Sequence, residues 1–81
     1  MITKIADHFG LENQRIKIIE ECSELITAIA KNDLENITEE IADVLIMVQQ
    51  LMYLYDIEDN VKEMIEFKIK RTVERYGICK K

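Results

Sequence analysis

The chain has 81 residues, of which 16 are acidic and 11 are basic, so its formal net charge is -5. This length allows one domain over residues 1–81. The acidic balance argues against general nucleic-acid binding, which requires a basic face. The first ten residues contain no apolar signal segment. The longest apolar run, 41–55, is shorter than the roughly 20 residues that span a bilayer. We therefore expect a cytoplasmic protein with neither nucleic acid nor a membrane as its partner.

The source of stability is a question for any domain of this size. A chain this short buries only about 60–65% of the surface that it exposes when unfolded. The two cysteines, Cys22 and Cys79, form neither a disulfide framework nor a zinc-binding spacing, so we interpret them as reduced thiols. We expect oligomerisation to supply the missing burial.

The scarcity of turn residues predicts an all-α fold. The chain contains no proline, and its only glycines are Gly10 and Gly77, whereas a β-rich fold normally needs more turns. A short N-terminal helix is predicted over about 3–9, closed by Gly10. A second helix over about 12–31 carries an apolar stripe at helical spacing, formed by Ile18, Cys22, Leu25 and Ile29.

Two longer helices are predicted in the second half. Thr38 is a good N-cap for a third helix that runs to about Tyr55, after a short link at 34–37. Asp56 can cap a fourth helix over about 57–76. The third helix is apolar on more sides than one chain can cover, so we expect a second subunit to pack on it. The predicted fold class is an all-α bundle of three long or medium helices plus a short N-terminal helix, completed by oligomerisation.

Two carboxylate pairs stand inside these apolar helices. Glu21 and Glu24 form E-x-x-E, and Glu40 and Asp43 form E-x-x-D. A spacing of three puts both members of a pair on one helix face. If the two helices pack face to face, four carboxylates converge and repel one another unless a cation lies among them. Oxygen ligands favour Mg²⁺, Mn²⁺ or Ca²⁺. The alternative for each pair is an ordinary acidic edge in solvent.

Asp43 is the most unusual residue of the chain. It is flanked by Ile41, Ala42, Val44 and Leu45, which indicates burial. An unpaired buried carboxylate costs several kcal/mol, so such a residue needs a partner. A buried ion pair and a polar stripe facing solvent are the alternatives to a metal. A metal is favoured because Glu40 shares the face of Asp43.

The last predicted helix supplies positive charge. Lys68, Arg71 and Arg75 recur at i, i+3 and i+7 beside its apolar stripe. Cations in such a row suit phosphate oxygens. The alternative is a solvated basic edge that balances the acidic total.

These residues resemble the MazG-like all-α nucleoside triphosphate pyrophosphohydrolases, a superfamily that includes MazG proteins, dimeric dUTPases and dCTP pyrophosphatases. The signature of that superfamily is E-E-x-x-E, a spacer, and then E-x-x-D. In this chain the signature falls on Glu20, Glu21, Glu24, Glu40 and Asp43. The surrounding sequence is similar from about Phe9 to Tyr76.

The resemblance implies Mg²⁺-dependent attack of water on the α-phosphate of a nucleoside triphosphate, with release of the monophosphate and pyrophosphate. It implies metal ligands at Glu21, Glu24, Glu40 and Asp43, with Glu24 also as the catalytic base. It implies phosphate contacts from Lys68, Arg71, Arg75 and Lys17. The short segment between the acidic helices leaves the preferred base or sugar open.

Two other functions use the same residues. A non-enzymatic helical dimerisation or binding module would use the apolar third helix as its partner surface. A metal-storage or metal-sensing bundle would use the carboxylates alone. The complete set of four carboxylates favours the enzyme, which would act as a homo-oligomer, either a dimer or a tetramer.

Overall fold

The computed structural model describes residues 1–78 and contains three helices: α1 (Ile2–Lys31), α2 (Leu34–Tyr55) and α3 (Glu58–Tyr76). No strand occurs within those residues, which confirms the all-α prediction. Cys79 lies outside the described residues, and Cys22 is a free, half-buried thiol. Among residues 1–78, none of the helices combines the length and the hydropathy that a membrane-crossing segment requires.

Gly10 interrupts α1. Its backbone angles, φ 83° and ψ 165°, are not helical, so the short N-terminal helix predicted before it exists as a separate segment across a kink. Only glycine adopts such angles without strain. The segment is held on α2 by the fully buried Ala6 and by Tyr53, whose hydroxyl lies 2.9 Å from each carboxylate oxygen of Asp7.

The prediction that α2 begins at Thr38 is wrong. Asn32 adopts the left-handed conformation (φ 54°) and ends α1, and Asp33 is the N-cap of α2. The Asp33 side chain accepts a hydrogen bond from the Asn36 backbone N–H at 3.3 Å. Thr38 lies inside the helix, where its hydroxyl donates to the Leu34 carbonyl at 2.8 Å. The expected link at 34–37 is therefore the first turn of α2.

The prediction that Asp56 caps the last helix is also wrong. Asp56 adopts the left-handed conformation (φ 57°), and its backbone N–H bonds to the carbonyl oxygens of Met52 and Tyr53. It thus ends α2 instead of starting α3. The residue at the N-cap of α3 is Ile57, which makes no side-chain capping bond.

Helices α1 and α2 form a hairpin and pack along their lengths, so they run antiparallel. Their contact buries Ala6, Ala28 and Met47 together with two amides. The Gln14 side chain donates to Gln50 at 2.7 Å, which satisfies polar groups that would otherwise be costly inside a core. Helix α3 touches only α2, near their shared end, and has no buried residue.

Large apolar side chains remain exposed on all three helices. Ile26 of α1 is 67% exposed, Leu45 of α2 is 55% exposed, and Phe67 and Ile69 of α3 are 58% and 60% exposed. An apolar surface distributed this widely is typical of a chain that packs against another protein. The expected oligomer stays a prediction at this point.

The two candidate caps of α2 can be tested against each other. Replacing Asp33 by Ala should destabilise the protein by about 1 kcal/mol, because it removes the side-chain bond to the first turn. Replacing Thr38 by Ala should change stability little, since Thr38 is a poor residue for a helix interior. Urea denaturation of both variants at one protein concentration measures the difference. A larger loss for Thr38→Ala than for Asp33→Ala would mean that α2 begins at Thr38.

Candidate metal centre

The hairpin brings the two carboxylate pairs together. Glu21 and Glu24 lie on α1, and Glu40 and Asp43 lie on α2. Carboxylate oxygens of Glu21, Glu40 and Asp43 lie within 4.8 Å of one another, as do those of Glu20, Glu21 and Glu24. Because Glu21 belongs to both groups, it joins the two helices into one acidic cluster. The cluster has the donor set and the spacing that a divalent cation needs.

The buried member of the cluster is Glu21 and not Asp43. Asp43 is exposed in the single chain, contrary to the expectation from its apolar neighbours, whereas Glu21 is only 8% exposed. The reason is that those neighbours are themselves uncovered: Ile41 and Leu45 are 43% and 55% exposed. Helix α1 covers one side of α2, and Asp43 lies outside the covered strip.

Lys17 is the cation that borders this cluster. Its Nζ lies 3.4 Å from a carboxylate oxygen of Glu21 and 3.4 Å from one of Glu20. Hydrogen bonding to Glu21, and then to Glu20, raises the pKa of Lys17. Among residues 1–78, no other cation lies within ion-pair distance of the four predicted ligands. The cluster therefore keeps a large excess of negative charge.

Glu40 carries the clearest sign of that excess. Its Oε2 atom is buried and has no hydrogen-bond donor among the described residues. Its neighbour Glu24 offers only acceptor oxygens unless one of the two carboxyl groups is protonated. Burial, followed by the charge of Glu24, raises the pKa of Glu40. Burial also raises the pKa of Glu21, although the hydrogen bond from Lys17 opposes this. A bound cation would relieve both groups.

The predicted phosphate-binding cations of α3 are not brought to the cluster within one chain. Lys68, Arg71 and Arg75 are all exposed, and α3 makes no contact with α1. The Arg71 guanidinium instead lies over the Phe67 ring, 5.5 Å from its centroid. These three cations can meet an acidic cluster only if it belongs to a second subunit, and their role stays a prediction.

A groove beside the cluster was missed from the sequence. It has a volume of about 310 Å³, and its lining residues are Ser23, Glu24, Thr27, Ala28, Lys31, Asn36 and Glu40. A signal was present on α1, where Ser23, Thr27 and Lys31 recur every four residues and so share one side of the helix. Asn36 falls in the segment 34–37, which the sequence predicts to be a link, so helical spacing does not assign it to this side.

This chain is an all-α protein with a clustered acidic site. The site is formed by one carboxylate pair on each of the two helices of the hairpin. The model of the MazG nucleotide pyrophosphohydrolase domain matches this chain over residues 9–76. The chain therefore belongs to that family, as the resemblance in its sequence predicts. A search of curated proteins and a search of solved structures each found no significant match.

The raised pKa of Glu40 predicts how the metal-free protein responds to pH. The folded state favours the protonated form, so this group stabilises the fold below the ordinary carboxyl pKa of 4.5. That contribution is lost as the pH rises through the raised pKa. In EDTA at pH 7, Glu40→Gln should therefore melt at a higher temperature than the parent, and the difference should vanish near pH 4.

Glu39 provides the matched control, because it is the preceding residue and is exposed. Glu39→Gln should melt like the parent across the same pH range. Thermal melts of the three proteins in EDTA from pH 4 to pH 7 make the comparison. Equal behaviour of Glu40→Gln and Glu39→Gln would show that Glu40 is not under electrostatic strain.

Proposed function

We propose that this protein hydrolyses nucleoside triphosphates to nucleoside monophosphates and pyrophosphate, with Mg²⁺ held by Glu21, Glu24, Glu40 and Asp43. Membership of the MazG nucleotide pyrophosphohydrolase family supports a reaction of this class. The observation that carries the proposal is the convergence of the two carboxylate pairs with one bordering cation.

The residues fit a hard divalent ion. Mg²⁺ takes oxygen ligands, and the Oε2 atom of Glu40 is a buried oxygen without a partner among the described residues. Mn²⁺ prefers the same ligands and should substitute. When bound, such an ion neutralises phosphate charge and lowers the pKa of a coordinated water. A cation would also offset the burial and the repulsion from Glu24 that together raise the pKa of Glu40.

The carboxylates differ in what they can do. Glu21 is buried and bonded to Lys17, so it suits a fixed ligand. Glu24 is exposed and lies close to Glu40, so it can accept a proton from a water molecule on the open side of the cluster. We assign Glu24 as the general base in addition to its place among the four ligands, and the other three carboxylates as ligands only.

A second subunit completes the site in this proposal. Helix α3 has uncovered apolar side chains on two of its sides, with Phe67 on one and Ile69 on the other. Its basic edge, formed by Lys68, Arg71 and Arg75, complements the negative cluster of another copy. Docking of α3 across the cluster of a partner subunit would cover apolar surface and deliver cations to the phosphates in one step. A homodimer or a homotetramer would satisfy this geometry.

A binding module without enzymatic activity is the second candidate, favoured by the amount of exposed apolar surface. It requires the same association between subunits but no turnover. Pyrophosphate release from a set of nucleoside triphosphates, with and without Mg²⁺, separates the two candidates. Release that depends on Mg²⁺ supports the enzyme, and no release from any triphosphate supports the binding module.

Two carboxylate substitutions separate the base from a ligand. Glu24→Gln should reduce pyrophosphate release by about 10²-fold or more, because the water loses its proton acceptor. It should still be stabilised by Mg²⁺, since three carboxylates remain. Asp43→Asn should lose most of that stabilisation as well as activity. Thermal melts in EDTA and in Mg²⁺, run beside the activity assay, measure both effects.

The control for these variants is Glu39→Gln, which changes an exposed carboxylate outside the two carboxylate groups of the cluster. It should keep parental activity and the parental response to Mg²⁺. Full activity in both Glu24→Gln and Asp43→Asn would place the reaction elsewhere in the molecule.

Association should be visible in the stability of the protein. If folding depends on a second subunit, the melting temperature should rise with protein concentration, because mass action favours the oligomer. Phe67→Lys should weaken association, whereas Lys62→Gln, an exposed change on the same helix, should not. Light scattering at micromolar concentration measures the mass. A parent protein that is monomeric and melts at a concentration-independent temperature would contradict the oligomer.

A further inference from the structure

The groove beside the acidic cluster runs from the carboxylates toward the end of the hairpin. Glu24 and Glu40 line it at the cluster, and Lys31 and Asn36 line it near the connection between α1 and α2. Glu24 and Lys31 are seven residues apart on one helix, a separation of about 10 Å along its axis. The groove volume of about 310 Å³ is at the lower end for small-molecule sites.

The middle of the groove offers hydrogen-bond acceptors. The Ser23 hydroxyl donates its hydrogen to the Glu20 carbonyl at 2.9 Å, and the Thr27 hydroxyl donates to the Ser23 carbonyl at 3.1 Å. Each hydroxyl oxygen keeps lone pairs that face a ligand which can donate. Sugar hydroxyls are such donors, whereas the oxygens of an ionised polyphosphate only accept. The middle of the groove therefore suits a sugar better than a phosphate chain.

The far end of the groove offers a different set of groups. Lys31 has three N–H donors, and it forms no ion pair within residues 1–78. The Asn36 amide uses one N–H on the Asp33 carboxylate at 2.9 Å, which leaves its second N–H and its carbonyl oxygen. An amide of this kind can pair with the edge of a base, and an ammonium group can donate to a base carbonyl.

The cation on the other side of the cluster gives the direction of the substrate. Lys17 lies one turn before Glu21 on α1, whereas the groove extends in the opposite direction from Glu24. A triphosphate whose α-phosphate lies at the carboxylates would then direct its β- and γ-phosphates toward Lys17. The nucleoside would lie in the groove.

We infer that the groove is the nucleoside subsite, with the sugar on Ser23 and Thr27 and the base on Lys31 and Asn36. This inference rests on the proposed function and adds a substrate class to it. Adenine is the one common base without a carbonyl oxygen, and its acceptors are nitrogens within the rings. A Lys31 ammonium group placed for a projecting carbonyl oxygen therefore finds no acceptor at that position on adenine. Lys31 thereby selects nucleoside triphosphates whose base carries a carbonyl group, and it acts as a specificity-determining residue.

The test compares Lys31→Met with the parent on a panel of adenosine, guanosine, cytidine and uridine triphosphates and their deoxy forms. Pyrophosphate release in Mg²⁺ gives kcat/KM for each. The parent should favour the three carbonyl-bearing bases over adenine. Lys31→Met should lower kcat/KM for those bases by about 10-fold, the value of one charge-assisted hydrogen bond, and should leave adenine nucleotides within about twofold of the parent. The preference for carbonyl-bearing bases over adenine should therefore be largely lost in Lys31→Met.

Two further variants sharpen the test. Lys62→Met changes an exposed lysine on α3 and should leave every kcat/KM unchanged. Lys31→Gln keeps a donor and should retain part of the preference, which guards against a folding defect of the methionine variant. An equal loss on all bases, or no loss, would overturn the inference while the proposed function stands. Failure of the parent to hydrolyse any triphosphate would overturn the proposed function, and this inference with it.

Discussion

Repulsion between carboxylates held at close range is the constraint on which the rest of this structure depends. The α1–α2 contact, through small residues such as Ala28 and through the Gln14–Gln50 amide pair, brings acidic residues of both helices within 4.8 Å. Lys17 offsets part of the charge at Glu21. The helical pair thus holds like charges together, and its packing energy must exceed their repulsion whenever no cation is bound.

Convergence of the carboxylates was predictable because it depends on local geometry. The 3.6-residue period fixes which side chains share a face, and a short connection makes neighbouring helices pack as a hairpin. The break at Gly10 was predictable for a similar reason, since a glycine between two amphipathic segments marks a conformation closed to other residues. The family was recognisable from the same spacings.

The two helix starts predicted wrongly lie where more than one residue can cap a helix, or where one residue can occupy either end of a helix. Asp33 and Thr38 are both residue types that cap helices well. The helix begins after Asp33, which gives the shorter turn between α1 and α2. Asp56 can cap a helix start or take a left-handed position at a helix end. The burial of Asp43 was harder to predict than the helix starts, because its exposure depends on how much of the α2 surface is covered by α1. The position of α3 relative to the hairpin can be predicted neither from the helical period of the sequence nor from its capping residues.

The hairpin connection also governs which changes of length the site can tolerate. Glu24 lies eight residues before Asn32, and Glu40 lies seven residues after Asp33, so the two carboxylates stand nearly level on either side of the turn. One residue inserted between either carboxylate and the turn would rotate the helix beyond it by about 100° relative to its partner. The same residue inserted between Asn32 and Asp33 would lengthen a surface connection and leave both faces in register. Length variation among related chains should therefore collect at this turn and spare the helical segments on both sides.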